Sequence, residues 1–267
     1  NSIAEVCAYL TLILIAIALI RLIPYHWFRR LHKLFPIFFI AITLHCISLM
    51  PTNYWLTSGG ILLMAVAVVG TLASLFALFG QIGKGNRFQG QVAEVKALSN
   101  DHLIVACQLV QAKMNYQSGQ FAFVRFDGTK DPHPFSLISA CQEDNCVRFC
   151  IKPLGDDTRW MAANLKPGHN VAIEGPYGKF DFNDPCEVQV WAAGGVGIAP
   201  FLSRLEELAC SPAEKQPTIH FYYCTRDDRF LQHYLLDLCQ RVGVHLHLIN
   251  RNASEVLNVD ELLEYGR

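Results

Sequence analysis

Hydrophobic and polar positions divide the chain into two parts that meet near residue 84. Before that point, residues 3–20, 34–50 and 61–80 are apolar on every side of a helix rather than along one stripe. A helix rises ~1.5 Å per residue, so segments of 17–20 residues cover about 26–30 Å, the thickness of a bilayer's hydrocarbon. The pattern predicts three membrane-spanning helices. From Asn86 the period changes to two: RFQGQVAEV, HLIVACQLV, GQFAFVRF and VRFCIKPL are separated by Gly or polar breaks, which predicts a small antiparallel barrel. From Pro185 the order becomes strand, Gly-rich turn, helix, strand (VQVWAA, GGVGIAP, FLSRLEELA, TIHFYYC), the signature of an α/β layer on a parallel sheet. Three domains are expected, at 1–84, 85–183 and 184–267, with the second boundary near 182–187.

Composition sharpens this division. The whole chain is 52% hydrophobic and 17% charged with a net charge of −1, which excludes a strongly basic nucleic-acid binder and an acidic disordered tail. Residues 1–84 hold 55 apolar residues, five Lys or Arg and a single acid, Glu5. The remainder holds 17 basic and 22 acidic residues, and its apolar fraction of about 46% is ordinary for a globular domain. The connection at 21–33 carries four basic residues and the one at 51–60 none, while Lys84 and Arg87 follow the third span. The positive-inside rule then places 21–33 and everything after 84 in the cytoplasm and Asn1 outside, a multi-pass arrangement in the plasma membrane with the lipid bilayer as partner. An odd number of spans and an outward start at Asn imply further chain upstream. The first stretch lacks a basic leading region and a cleavage motif, so it is not read as a signal peptide. Oligomeric state leaves no trace in the sequence.

Chemistry concentrates in a few short strings. Gly194-Gly195-Val196-Gly197-Ile198-Ala199-Pro200 follows an apolar strand and opens a helix, where glycines let backbone amides approach a pyrophosphate and the helix end favours its charge. A plain tight turn would look the same. Arg226 follows the next strand, where a cation suits a 2′-phosphate and favours NADPH over NADH; Asp227 and Asp228 blur that preference. His133-Pro134-Phe135-Ser136 follows the strand FAFVRF, and Lys152-Pro153-Leu154-Gly155-Asp156-Asp157-Thr158 leaves a strand and enters a helix, where backbone amides and Thr158 could hold a phosphate. Gly175-Pro176-Tyr177-Gly178 reads as a turn closing the barrel. His32 and His45 bracket the second apolar stretch, and neutral imidazole is an axial ligand for haem iron. Thirteen helical residues separate the two rings by roughly 140°, so they share a face only if Pro36 bends the segment. The other reading is an interfacial His32 and a His45 bonded to a neighbouring helix. The ten cysteines show no metal spacing and read as buried thiols of a reducing compartment.

With these residues in order, the chain resembles the ferric reductase and NADPH oxidase family of membrane flavocytochromes, most closely its bacterial predicted ferric reductases. The resemblance extends over essentially the whole chain. It implies a multi-domain membrane protein: a three-span α-helical segment, an antiparallel β-barrel flavin domain and a partial Rossmann-like α/β nucleotide domain of ferredoxin-reductase type. It implies FAD held by His133, Pro134, Phe135 and Ser136, with Phe135 against the isoalloxazine and Ser136 at flavin N5 as the catalytic contact. Lys152, Gly155 and Thr158 would take the FAD pyrophosphate. Gly194, Gly195, Val196, Gly197, Pro200 and Arg226 would take the nicotinamide nucleotide. His32 and His45 would ligate haem b. The implied function is transfer of electrons from NADPH through FAD and haems to an outer-side acceptor, ferric chelate or oxygen. The family's first spans would precede Asn1, and its C-terminal Cys-Gly motif would follow Arg267. Two alternatives stay open: a membrane-anchored flavin reductase without haem that serves a cytoplasmic acceptor, and a non-catalytic membrane adaptor.

Overall fold

The computed structural model describes residues 2–19, 31–80, 84–99, 102–110, 113–139, 145–210, 216–225 and 229–250. The chain forms two compact units, Asn1–Lys84 and Gly85–Arg267.

In the first unit, α1 (Ser2–Leu19), α2 (Phe35–Leu49) and α3 (Ser58–Leu78) are apolar helices. The three expected spans are therefore helical, but among the described residues only α3, with 21 residues, is long and apolar enough to cross a membrane. Of the other two, α1 has 18 residues and α2 has 15, the latter about 22 Å of helix against roughly 30 Å of hydrocarbon. The shortening of α2 has a local cause. Pro36 stands in its first turn, where a missing N–H costs nothing, so it starts a helix instead of bending one. Thr57 caps α3, its Oγ1 accepting from Gly60 N–H at 3.1 Å. Gly70 admits the Phe39 ring, since a Cβ there would sit 2.3 Å from it. The apolar faces are otherwise bare: α2 buries none of its residues and α3 only Gly60 and Ser74.

The second unit begins with six antiparallel strands: β1 (Arg87–Ser99), β2 (His102–Leu109), β3 (Phe121–Phe126), β4 (His133–Ser136), β5 (Cys146–Ile151) and β6 (Asn170–Tyr177). Their order is β4-β3-β6-β1-β2-β5. An isolated bridge between Leu137 and Phe149, with Ile138 N–H donating to Arg148 O at 2.9 Å, brings the two outer strands together and nearly closes the barrel. The long β1 serves two neighbours, pairing with β6 over Arg87–Gln91 and with β2 as far as Ser99. Irregularities at Val92/Glu94 and Ala97/Ser99 give it the bend this needs. The expected turn at Gly175–Gly178 is instead mostly strand: Gly175–Tyr177 belong to β6, where Tyr177 pairs with Phe121. Inside lie Val105, Ala122, Val124, Phe126, Leu137 and Phe149, with Met161 of α4 (Asp156–Asn164) packed among them.

The α/β half is a parallel sheet, β7 (Val188–Gly194), β8 (Thr218–Thr225) and β9 (His245–Asn250) in that order. A 3-10 turn, Gly195–Ile198, leads from β7 into α5 (Ala199–Cys210), and α6 (Arg229–Val242) follows β8. Its core gathers Trp191, Phe201, Leu205, Phe221 and Leu235, and also two barrel residues, Ile138 and Cys150. The two halves of this unit therefore share one apolar cluster.

Candidate functional site

Strand β4 lies at an edge of the six-stranded sheet beside β3, a position that tolerates Pro134. Its register sets the role of each side chain. His133 and Phe135 stand opposite Val124 and Ala122, both fully buried, so they turn toward the barrel interior. Ser136 stands opposite Phe121 on the outer face. His133, Phe135 and Ser136 are half-buried, and Pro134 is exposed. The Phe135 ring packs on the core, 6.4 Å from the Phe149 ring, which leaves part of it open to a planar ligand.

The second string lies against the first. His133 Nε2 is 2.8 Å from Asp157 Oδ2, so β4 and the N-terminal turn of α4 meet although 24 residues separate them. Asp157 is a residue to which sequence reasoning gave no role, although it stands within the second string. Thr158 departs from its expected role. Its Oγ1 accepts from Leu154 N–H and Gly155 N–H, both at 2.9 Å, and donates to Gly155 O at 3.1 Å. One proton and two lone pairs are all a hydroxyl has, so Thr158 is saturated by its own loop. It shapes the loop, and the first-turn amides of α4 remain as the anion donors. Lys152, half-buried at the exit of β5, forms no ion pair with any described residue. A Cβ at Gly155 would meet nothing within 4 Å.

The glycine loop sits where β7 and β8 end in register, Gly194 beside Cys224, at the carboxyl edge of the parallel sheet where such folds bind ligands. Gly195 adopts φ +53°, a left-handed conformation that glycine takes without strain. Gly197 needs no such freedom, yet a Cβ at either position would again meet nothing within 4 Å. Below the loop Ile198 and Ala199 are buried; above it Val196 and Gly197 are exposed. Pro200 is accommodated in the first turn of α5. The buried Tyr223 donates from Oη to Gly195 O at 3.4 Å, a support that no motif signals. Arg226 lies outside the described residues.

These surroundings fit a diphosphate at two places, whereas nothing comparable supports haem at His32 and His45. His32 is exposed and precedes a turn at 33–34 that separates it from α2, while His45 is half-buried within α2. Pro36 stands just after that turn, in the first turn of α2. No group of three His, Cys, Asp or Glu suited to a metal ion occurs among the described residues. Cys107, Cys150 and Cys239 are buried free thiols, as expected, whereas the free thiols of Cys46 and Cys186 are exposed and Cys210 is disulfide-bonded.

Residues 87–181 match the family model of an FAD-binding domain. The chain is 29% identical over 160 residues to methane monooxygenase component C of Methylosinus trichosporium, covering 58% of this chain and 47% of that one. It is 29% identical over 154 residues to the reductase component of propane 2-monooxygenase from Mycolicibacterium smegmatis, covering 55% and 44%. It thus spans about half the length of these relatives. In structure it is similar to the FAD/NAD binding domain of nitric oxide dioxygenase from Vibrio cholerae, with a TM-score of 0.54 at 19% identity over 61% of this chain and 73% of that one. That likeness establishes the fold, a flavin barrel with an α/β nucleotide half. These matches correct the resemblance to ferric reductases and NADPH oxidases: the related sequences are components of oxygenases, one of them named a reductase component. The reason is physical. The strings that carried the resemblance lie in the barrel and the α/β half, a fold that is not peculiar to membrane flavocytochromes, and the helical unit added only apolar stretches and two histidines.

Proposed function

We propose that the chain is the flavin-binding and nucleotide-binding part of an NAD(P)H-dependent reductase that passes electrons to a separate acceptor protein. The observation that carries this is the union of β4 with the N-terminus of α4 through His133 and Asp157, inside the segment matching an FAD-binding domain. The relatives' names as components of multi-part oxygenases, one of them a reductase component, support a protein acceptor. When bound, FAD supplies what no side chain can, acceptance of two electrons and their release one at a time. Phe135 offers its open ring face to the isoalloxazine, and Ser136 directs a hydroxyl to flavin N5. The α4 amides and Lys152 hold the FAD diphosphate, with the His133–Asp157 contact tying β4 to the turn beside it. The Gly194–Gly197 amides hold the nucleotide's diphosphate, and Arg226 favours NADPH over NADH. Stacking and one hydrogen bond are each worth about 1 kcal/mol. The Phe135→Ala, Ser136→Ala double variant should therefore bind FAD roughly thirtyfold more weakly in a fluorescence titration. Unchanged flavin affinity would sink the assignment.

We also propose that the first unit is embedded in a lipid bilayer, in the plasma membrane, with the residues after 84 on the cytoplasmic side. The specific support is α3, apolar throughout and almost unburied, because an all-round apolar helix is stable only where its whole surface leaves water. The full chain should stay with the membrane pellet after washing in alkaline carbonate. Release into the supernatant would refute the embedding.

A further inference from the structure

Four hydroxyls are buried together where the barrel meets the α/β half. Tyr116 Oη and Ser139 Oγ are 2.6 Å apart, and Arg148 N–H donates to Ser139 Oγ at 3.1 Å. Ser203, on α5 and 0% exposed, places its Oγ 3.3 Å from Ser139 O and 3.1 Å from Ser118 Oγ. Each serine has a single proton to give. The Ser139 carbonyl can only accept, so Ser203 donates to it, and Ser118 must then donate to Ser203. The donors run in one direction, from Ser118 through Ser203 to the end of β4. Burial pushes the Tyr116 phenol up to about 12, against the pull of its bond to Ser139, so it keeps its proton at neutral pH.

Apolar packing alone does not call for these groups, since Phe201, Leu202, Leu205 and Leu208 already fill the buried face of α5. Apolar contact is non-directional, whereas a hydrogen bond weakens sharply once its distance and angle depart from a narrow range. The hydroxyls therefore fix a register that the apolar seam would leave loose. That register matters because of what adjoins it: Ser139 is three residues beyond Ser136, and Ser203 is six beyond Gly197.

We infer that Ser203 is a positioning residue that locks the nucleotide loop to the flavin strand and so sets the approach of the nicotinamide to the flavin ring. This rests on the reductase reading above. The step it serves is transfer of a hydride, one proton with two electrons, from the dihydronicotinamide carbon to flavin N5. The C–H bond breaks, the N–H bond forms, the nucleotide is oxidised and the flavin reduced.

The test uses the full chain as wild type, Ser203→Ala, Ser118→Ala and the double variant. Flavin reduction by NADPH is followed by stopped flow, and amide hydrogen exchange is followed on the protein without flavin. Ser203→Ala should retain its flavin content and bind the nucleotide within about twofold of wild type, while the limiting reduction rate falls about tenfold, because small misplacements are costly in such steps. The charge-transfer absorbance of the nucleotide–flavin complex should weaken, and exchange over 137–139 and 198–203 should quicken about tenfold. Ser118→Ala, which leaves α5 untouched, should act in the same direction, and the double variant should be no worse than Ser203→Ala alone. Unchanged rate and exchange in both single variants would overturn the inference. So would a slower rate that merely tracks lost flavin or lost nucleotide affinity. Wild-type protein that binds FAD but is not reduced by NADPH would overturn the reductase reading instead, and the exchange measurement would still judge the hydroxyl network.

Discussion

Gly197→Val is expected to weaken nicotinamide nucleotide binding a hundredfold or more while leaving the melting temperature and flavin content unchanged. Among the described residues nothing beyond its chain neighbours lies within 4 Å of a Cβ at Gly197, and its φ is not left-handed, so these surroundings can carry a side chain there. What the side chain would occupy is the space in which backbone amides meet the diphosphate. Two charge-assisted hydrogen bonds lost from that contact are worth about 3–6 kcal/mol, which is the hundredfold or more. Gly195→Ala makes the contrast. It forces a Cβ onto φ +53°, at a cost of about 1–2 kcal/mol in stability, so it should lower the melting temperature as well. Isothermal titration and calorimetry on both variants separate the effects. Normal nucleotide affinity in Gly197→Val would mean that the loop is only a turn.

Phe149→Ala should cost about 3–5 kcal/mol of stability, the usual penalty for emptying an aromatic site in a core, and a large share of the 5–15 kcal/mol that holds a typical domain. Phe149 is fully buried, pairs with Val105 on β2, bridges to Leu137 and lies against Phe135. Its loss opens the barrel at the one place where β5 meets the β4 end. Denaturant unfolding should show the lowered midpoint, and FAD affinity should fall with it because Phe135 loses its backing. A variant as stable as wild type would show that β4 is held by β3 alone.

The period-two pattern from Asn86 and the strand–glycine–helix order after Pro185 were legible because half-buried strands and a turn into a helix constrain residue type locally. His133–Ser136 and Gly194–Pro200 were legible for the same reason, as short strings with local meaning. Asp157 was not, since its importance lies in a bond to a strand 24 residues away. Thr158 was misjudged because its hydroxyl is spent on two amides of its own loop, which only coordinates reveal. Gly175–Tyr177 carries turn residues but pairs as strand, a case of tertiary pairing outweighing local preference. In the first unit the apolar runs were plain, but the turn at 33–34 that parts His32 from α2 was not, because no residue type there announces it.

The shared cluster around Ile138 and Cys150 has a consequence for how the molecule is made. Every barrel strand leaves the ribosome before Val188, the first residue of β7, so the seat offered by those two residues can be ready before the parallel sheet exists. The later half is then shaped on a finished surface, in keeping with domains that fold in the order of synthesis. The chain can be cut on paper near residue 184, but two buried residues of the later core, Ile138 and Cys150, lie on the earlier side of that cut.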